Sequence, residues 1–204
     1  MTAPAEPLLV AATLALAIFV ALGLTFARKP FAFVDRIGSR AAGVSLPLAI
    51  VFTRSGYTPE LTVLAILGAT VAIILRTNIA LALLLIAFQL LSQLTANAVK
   101  RFVARLRPEV WHFREELGFA YPSGHAVTAI VFYIGWATIV SGWNIPSAIH
   151  PLLFVVAALW ALGIGWSRVA LGAHRVTNIL GGYLLGTAWL CLFLALAVRS
   201  STTV

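Results

Sequence analysis

Acidic side chains are scarce: the 204 residues hold six Asp and Glu against 14 Lys and Arg. Charged residues of both signs make up only 10% of the chain, where a soluble domain carries about 25%. So few charges cannot cover the surface of a soluble globule, which excludes an ordinary soluble enzyme. An apolar fraction of 61% excludes a disordered chain as well. Cysteine is limited to Cys191. An intrachain disulfide and a disulfide scaffold are therefore excluded, and the redox compartment is unreadable. The shortage of carboxylates leaves no convincing metal cluster, and neither a metal nor a cofactor is expected. What remains is a polytopic membrane protein, with residues 1–204 read as one domain. A net charge of +8 can signal nucleic acid. Here the basic residues fall between apolar runs, which points to an anionic lipid surface or an anionic substrate and to no nucleic-acid partner. The oligomeric state stays open.

A helix needs about 20 mostly apolar residues to cross a bilayer. Six runs fit or come close: Leu8–Ala27, Leu61–Leu75, Ile79–Ala98, Ala126–Val140, Leu152–Trp166 and Ile179–Val198. The first reads as a span and not a leader, because Met1–Pro7 carries only Glu6 and no good cleavage site follows. Phe31–Thr53 is amphipathic around Asp35, Arg36 and Arg40, then apolar but interrupted by Pro47. It reads as an interfacial helix plus a lead-in to the second span. The expected fold is all-α, with six transmembrane helices and that interfacial helix after the first.

Six spans put the loops 28–56, 99–125 and 167–178 on one membrane face. That face carries Arg28, Lys29, Arg36, Arg40, Arg54, Lys100, Arg101, Arg105, Arg107, Arg114, Arg168 and Arg175, and the other only Arg76 and Arg199. The positive-inside rule makes the basic face cytoplasmic. Anion binding is a second reason for the same basic residues, and the two are compatible.

Three segments of that face can carry chemistry. Lys100 and Arg107 are seven residues apart, nearly two helical turns, so a continuing helix would point both the same way until Pro108 ends it. Tyr121-Pro122-Ser123-Gly124-His125 opens the fourth span. Ser123 is placed to cap that helix, Gly124 lets a ligand approach the backbone, and the helix start favours an anion. Ser167-Arg168 and His174 follow the fifth span, with Asn178 four residues beyond His174. Asn178 could cap the sixth helix or accept the ring N–H of His174. Secondary readings follow for other residues. Trp111, Phe113, Phe119 and Tyr121 read as an interfacial belt or as guides for a lipid tail, Glu109, Glu115 and Glu116 as solvated loop charges or as contacts to substrate or cation, and Arg101 and Arg105 as headgroup contacts or direct substrate contacts. Gly182-x3-Gly186 is a helix-packing face.

Taken together, Lys100-x6-Arg107-Pro108, Pro122-Ser-Gly-His125 and Ser167-Arg168-x5-His174 resemble the tripartite signature of the type 2 phosphatidic acid phosphatase superfamily. The resemblance covers the third to the sixth span. It implies a membrane lipid phosphatase in which His174 attacks phosphorus to form a phosphohistidine. It also implies that His125 protonates the leaving oxygen, and that Lys100, Arg107, Ser123, Gly124 and Arg168 cradle the phosphate. The implied partners are the lipid bilayer and a membrane lipid phosphate: undecaprenyl pyrophosphate, phosphatidylglycerol phosphate or phosphatidate. The expected location is the plasma (inner) membrane, multi-pass. Bacterial relatives mostly put this site on the periplasmic face, against the charge rule, so the side stays open. One position departs from the family, which has Asp where this chain has Asn178. An Asn can fix the tautomer of His174 but cannot stabilise its positive charge. A lipid phosphotransferase, or a catalytically weakened lipid-binding or transport protein, therefore remain as alternatives.

Overall fold

A computed structural model of the chain describes residues 5–26, 33–108, 113 and 116–201. Among these the regular structure is entirely helical. The helices are α1 (Ala5–Phe26), α2 (Phe33–Gly38), α3 (Leu46–Arg54), α4 (Thr58–Ile74), α5 (Ile79–Val103), α6 (Gly124–Ala129), α7 (Gly135–Ser141), α8 (His150–Ala170) and α9 (Val176–Ser201). A π-helical turn, Ile130–Ile134, joins α6 and α7 into a single span, Gly124–Ser141. Five helices or helix runs are long and apolar enough to cross a bilayer, and α3 with α4, bent by 54°, supply a sixth crossing. Outward faces carry apolar side chains such as Leu14, Leu67, Leu94 and Leu159, all more than half exposed. In water that exposure would be costly, and in lipid it is not.

Several boundaries differ from the sequence reading. The interfacial helix is only α2 plus a 3-10 turn, Ser39–Ala41, and Pro47 does not interrupt a helix. It lies in the first turn of α3, where a missing backbone N–H costs nothing. The third span runs on to Val103, so Lys100 and Arg101 sit in its last turn. It does not continue as a helix to Pro108. Ala104 takes a left-handed conformation (φ 52°), and its N–H closes on the Lys100 carbonyl. That turn sends Arg105 and Arg107 in different directions.

Helix α9 is the central post. It packs along α1 and against α5 and α6. Its approach to α6 depends on two glycines spaced as the packing face requires. A Cβ on Gly182 would lie 2.6 Å from the Ser123 carbonyl, and one on Gly186 2.8 Å from that of Val127. Tyr121 is no belt residue: it is fully buried, stacks on Phe19 at 5.6 Å between ring centroids and donates to the Phe19 carbonyl. The small faces of Gly23 and Gly181 leave room for its ring. Trp111, His112, Arg114, Glu109 and Glu115 of the loop before α6, and Arg28 and Lys29 after α1, lie outside the described residues.

The glycine contact generates an expectation. Gly186→Leu should force α6 and α9 apart at a cost of about 1–3 kcal/mol, typical of overpacking. Its thermal-unfolding midpoint in detergent should fall, while Leu159→Ala on the lipid-facing side of α8 should leave it nearly unchanged. An unaltered midpoint for Gly186→Leu would show that the close approach is not needed.

Candidate active site

The three sequence segments meet at one end of the bundle. The last turn of α5 brings Lys100, the left-handed turn brings Arg107, the start of α6 brings Ser123, Gly124 and His125, and the end of α8 brings Arg168. The short link from α8 to α9 brings His174. Cohesion among them is backbone-based in part. Ser123 N–H donates to the Asn178 carbonyl at 2.9 Å, and the N–H groups of Ala173 and His174 both donate to the Arg168 carbonyl at 3.0 Å.

His174 is almost wholly buried. Its Nε2 lies 3.1 Å from Arg107 Nη1. A guanidinium can only donate, so Nε2 is the unprotonated nitrogen and Nδ1 carries the proton of the neutral ring. Burial, reinforced by the Arg107, Arg168 and Lys100 charges, pushes the His174 pKa well below the usual 6.5. The imidazole is therefore neutral at pH 7, with the lone pair of Nε2 facing Arg107. Arg107 is held there by three carbonyls, those of Ala173, Gly118 and Leu117, at 3.1–3.3 Å. None of these cancels its charge.

Arg168 is 1% exposed. It donates to Thr53 Oγ1 at 2.6 Å and pairs with Glu116 at 2.7 Å. Glu116 is not the solvated loop charge the sequence suggested. Its carboxylate sits among the site's cations and also accepts from the Tyr57 hydroxyl at 3.0 Å. Tyr57, at the bend between α3 and α4, stands edge-on to His125 (4.7 Å between centroids), and its ring lies 5.9 Å from the Arg168 guanidinium. Neither Tyr57 nor Thr53 was legible as a site residue. Both belong to the bent second span, and nothing in the sequence reports that a bend will turn its inner corner toward the other motifs.

Ser123 occupies the N-cap position, but its hydroxyl makes no capping bond. The Oγ is buried without a hydrogen-bond partner among the described residues. That leaves a buried donor in a site of cations, as an anion requires. A Cβ on Gly124 would stand 3.2 Å from Lys100 Nζ and 3.0 Å from Gln93 Nε2. Its absence keeps the Lys100 ammonium close to the backbone at the start of α6. Gln93 also borders a cavity of about 310 Å³ between α4, α5 and α6, lined by Leu61, Ile66, Leu85 and Phe132 among others. A second cavity, of about 570 Å³, has Arg107 and His174 in its wall.

Two expectations about side chains fail. Arg105 meets no headgroup: it is 5% exposed and pairs with Asp35, itself 3% exposed, at 3.0 Å. Asn178 does not turn its amide oxygen to His174. That oxygen accepts from Arg105 Nη1 at 2.6 Å. The cause is the turn at Ala104, which swings Arg105 inward to the start of α9.

Comparison with known proteins follows the same lines. The sequence model of the PAP2 superfamily matches residues 79–201. Phosphatidylglycerophosphatase B of Bacillus subtilis is 34% identical over 95 residues, 46% of this chain and 47% of that protein. Lipid A 1-phosphatase of Rhizobium johnstonii is 30% identical over 115 residues, 52% of this chain and 43% of that protein. The chain thus spans about half the length of the curated relatives it matches. Among solved structures, a transmembrane PAP2 type phosphatidylglycerolphosphate phosphatase from Bacillus subtilis superposes with a TM-score of 0.82. It covers 94% of this chain and 96% of its own at 23% identity, a likeness of fold.

The cation set makes a prediction about anions. Vanadate should raise the unfolding temperature of the parent protein. Arg107→Ala and Arg168→Ala should each weaken that binding by about 1.5–3 kcal/mol, the loss of one charge-assisted bond. Glu116→Gln should strengthen it, because the resident carboxylate competes for Arg168. Equal vanadate affinity in all four proteins would make these arginines interfacial anchors only.

Proposed function

This chain belongs to the PAP2 superfamily, and from that premise we propose that it is an integral membrane lipid phosphatase of the inner membrane. Its substrate is a lipid phosphomonoester or pyrophosphate. The contact of Arg107 Nη1 with the unprotonated Nε2 of His174 carries the reading. It sets a nucleophilic nitrogen beside a cation whose other hydrogen bonds, among the described residues, go to backbone carbonyls. A phosphate arriving between them satisfies both.

The chemistry follows from the charges. Lys100, Arg107 and Arg168, with the hydroxyl of Ser123 and the backbone at Gly124, take up the phosphoryl oxygens. Phosphoryl transfer asks mainly for position and for neutralised charge on those oxygens. His174 Nε2 attacks phosphorus and the bond to the lipid oxygen breaks. That oxygen takes a proton from His125. Water then attacks the phosphohistidine and gives a proton to His125, and inorganic phosphate leaves with His174 restored. The lipid stays in the bilayer throughout. The apolar cavity beside Gln93 opens between spans, a geometry that supports sideways entry of an acyl or prenyl chain. Phosphatidylglycerol phosphate, undecaprenyl pyrophosphate and phosphatidate all present the required group. The names of the relatives favour the glycerolipid and lipid A classes over the others.

Asn178 sets the rate. Its amide oxygen is directed at Arg105, and a neutral amide brings no charge to stabilise the imidazolium of His174. A carboxylate would add that charge.

Phosphate release from a panel of lipid phosphates in detergent tests the reading. The parent should turn over at least one of them, and His174→Ala none. The acid limb of kcat/KM should fall below pH 6.5, since only protonation of a nucleophile whose pKa is depressed removes it. Asn178→Asp should raise kcat by at least tenfold, bounded by the roughly 10⁴ of the corresponding change in a serine protease. Full turnover by His174→Ala would end the proposal. Equal rates for the two residue-178 forms would mean that the residue does not serve the nucleophile.

A further inference from the structure

We propose that Gln89 is a specificity-determining residue. It hydrogen-bonds an oxygen that the lipid carries close to the scissile ester, and so disfavours lipids that are hydrocarbon from the ester oxygen onward. The inference rests on the phosphatase reading above.

The cavity beside Gln93 is apolar in its depth but not at its mouth. Near the site its wall includes Thr58 and Thr62 of α4, Gln89 and Gln93 of α5, and Thr128 of α6. Deeper, the wall passes to Ala65, Ile66, Leu85, Phe132 and Trp136. Gln93 marks the mouth. A Cβ on Gly124 would meet its Nε2 at 3.0 Å and Lys100 Nζ at 3.2 Å, so this amide stands beside the phosphate cradle. Gln89 lies one helical turn deeper, about 6 Å along α5 at 1.5 Å per residue. A lipid with its phosphate in the cradle and its chain in the cavity passes Gln89 a few bonds beyond the ester oxygen.

The protein itself accounts for Gln93 and not for Gln89. Gln93 Oε1 accepts from the Thr128 hydroxyl at 3.1 Å. Gln89 Oε1 is buried and has no hydrogen-bond partner among the described residues. An amide in a membrane span commonly ties helices together through such a bond. Here the nearby hydroxyls are spent on backbone carbonyls. Thr62 donates to that of Thr58 at 2.8 Å, Thr128 also to that of Gly124 at 2.7 Å, and Ser92 to that of Gln89 itself at 2.8 Å.

An unmet acceptor in a buried place costs stability, and a hydrocarbon chain beside it does nothing to relieve that cost. A hydroxyl on the lipid does, because it can donate to the amide oxygen. An ester oxygen can instead accept from the amide nitrogen of the same side chain. The favoured class is therefore a glycerol-type lipid phosphate, oxygenated on the carbons next to the scissile ester. A polyprenyl or simple alkyl phosphate leaves the amide unpaired, the condition under which a site rejects an analogue that lacks the matching group.

A matched pair of lipids tests the selection. Palmitoyl glycerol phosphate carries a hydroxyl on the carbon beside the scissile ester carbon, and hexadecyl phosphate carries no such oxygen. In detergent the full-length parent should hydrolyse the first with a kcat/KM at least about tenfold higher. Gln89→Leu and the unbranched Gln89→Met should each cut that ratio by about tenfold, the scale of one hydrogen bond lost from one side only. Vanadate affinity should hold in both variants, since the cradle is intact. Their unfolding temperature should not fall, since no bond within the protein is removed. A ratio unchanged in both variants, loss of both activities alike, or a lowered unfolding temperature with the ratio intact would each overturn the proposal and make Gln89 structural. A parent that hydrolyses both lipids equally well would overturn this inference and leave the phosphatase reading standing. A parent inactive on every lipid phosphate would overturn that reading and this inference with it.

Discussion

Lys100, Arg107 and Arg168 share one largely buried site with a neutral imidazole, and their mutual repulsion is the constraint the surrounding structure answers. Like charges held together in a medium of low dielectric are far costlier than in water. Acidic side chains are too few to neutralise them. Glu116 serves Arg168, and Asp35 is committed to Arg105. Among the described residues Arg107 donates to backbone carbonyls and to His174. Among the described residues the site is short of negative charge, which under the proposed function a dianionic phosphate would supply.

The fold is arranged to keep that deficit in place. Both arginines are fixed by neutral groups from other parts of the chain. Thr53 of the bent second span takes Arg168, and the Gly118 and Ala173 carbonyls take Arg107. The α6–α9 contact through Gly182 and Gly186 sets the depth of the Ser123–His125 segment against the link that carries His174. Burial first, and then the same crowding of cations, lowers the His174 pKa. Under the proposed function, the cations that would bind the phosphate add to burial in keeping His174 unprotonated.

Much of this was legible in the sequence. Spans are written in runs of apolar residues, because a bilayer forces each crossing to satisfy its own backbone. The three motifs stood out because Arg, Lys and His are expensive between spans unless they serve a purpose. Parity then placed them together. What stayed hidden depended on single turns. The left-handed Ala104 converts a presumed helical face into a reversal, turning Arg105 from a surface residue into the partner of Asp35. The bend at residues 55–57 brings Tyr57 over the site. Tyr121 reads as an interfacial aromatic by type and position, yet small residues on α1 and α9 make room for it in the core. Periodicity does not encode such events, and the amide orientation of Asn178 follows from one of them.

The central claim is that His174 becomes covalently phosphorylated. A substrate lipid labelled with radioactive phosphorus, mixed with the protein for milliseconds and quenched in base, tests it most directly. The account predicts a labelled protein whose bond survives alkali but is lost in acid, with the label on the peptide containing residue 174. Label on His125, or turnover with no protein-bound phosphorus at any time, would contradict it.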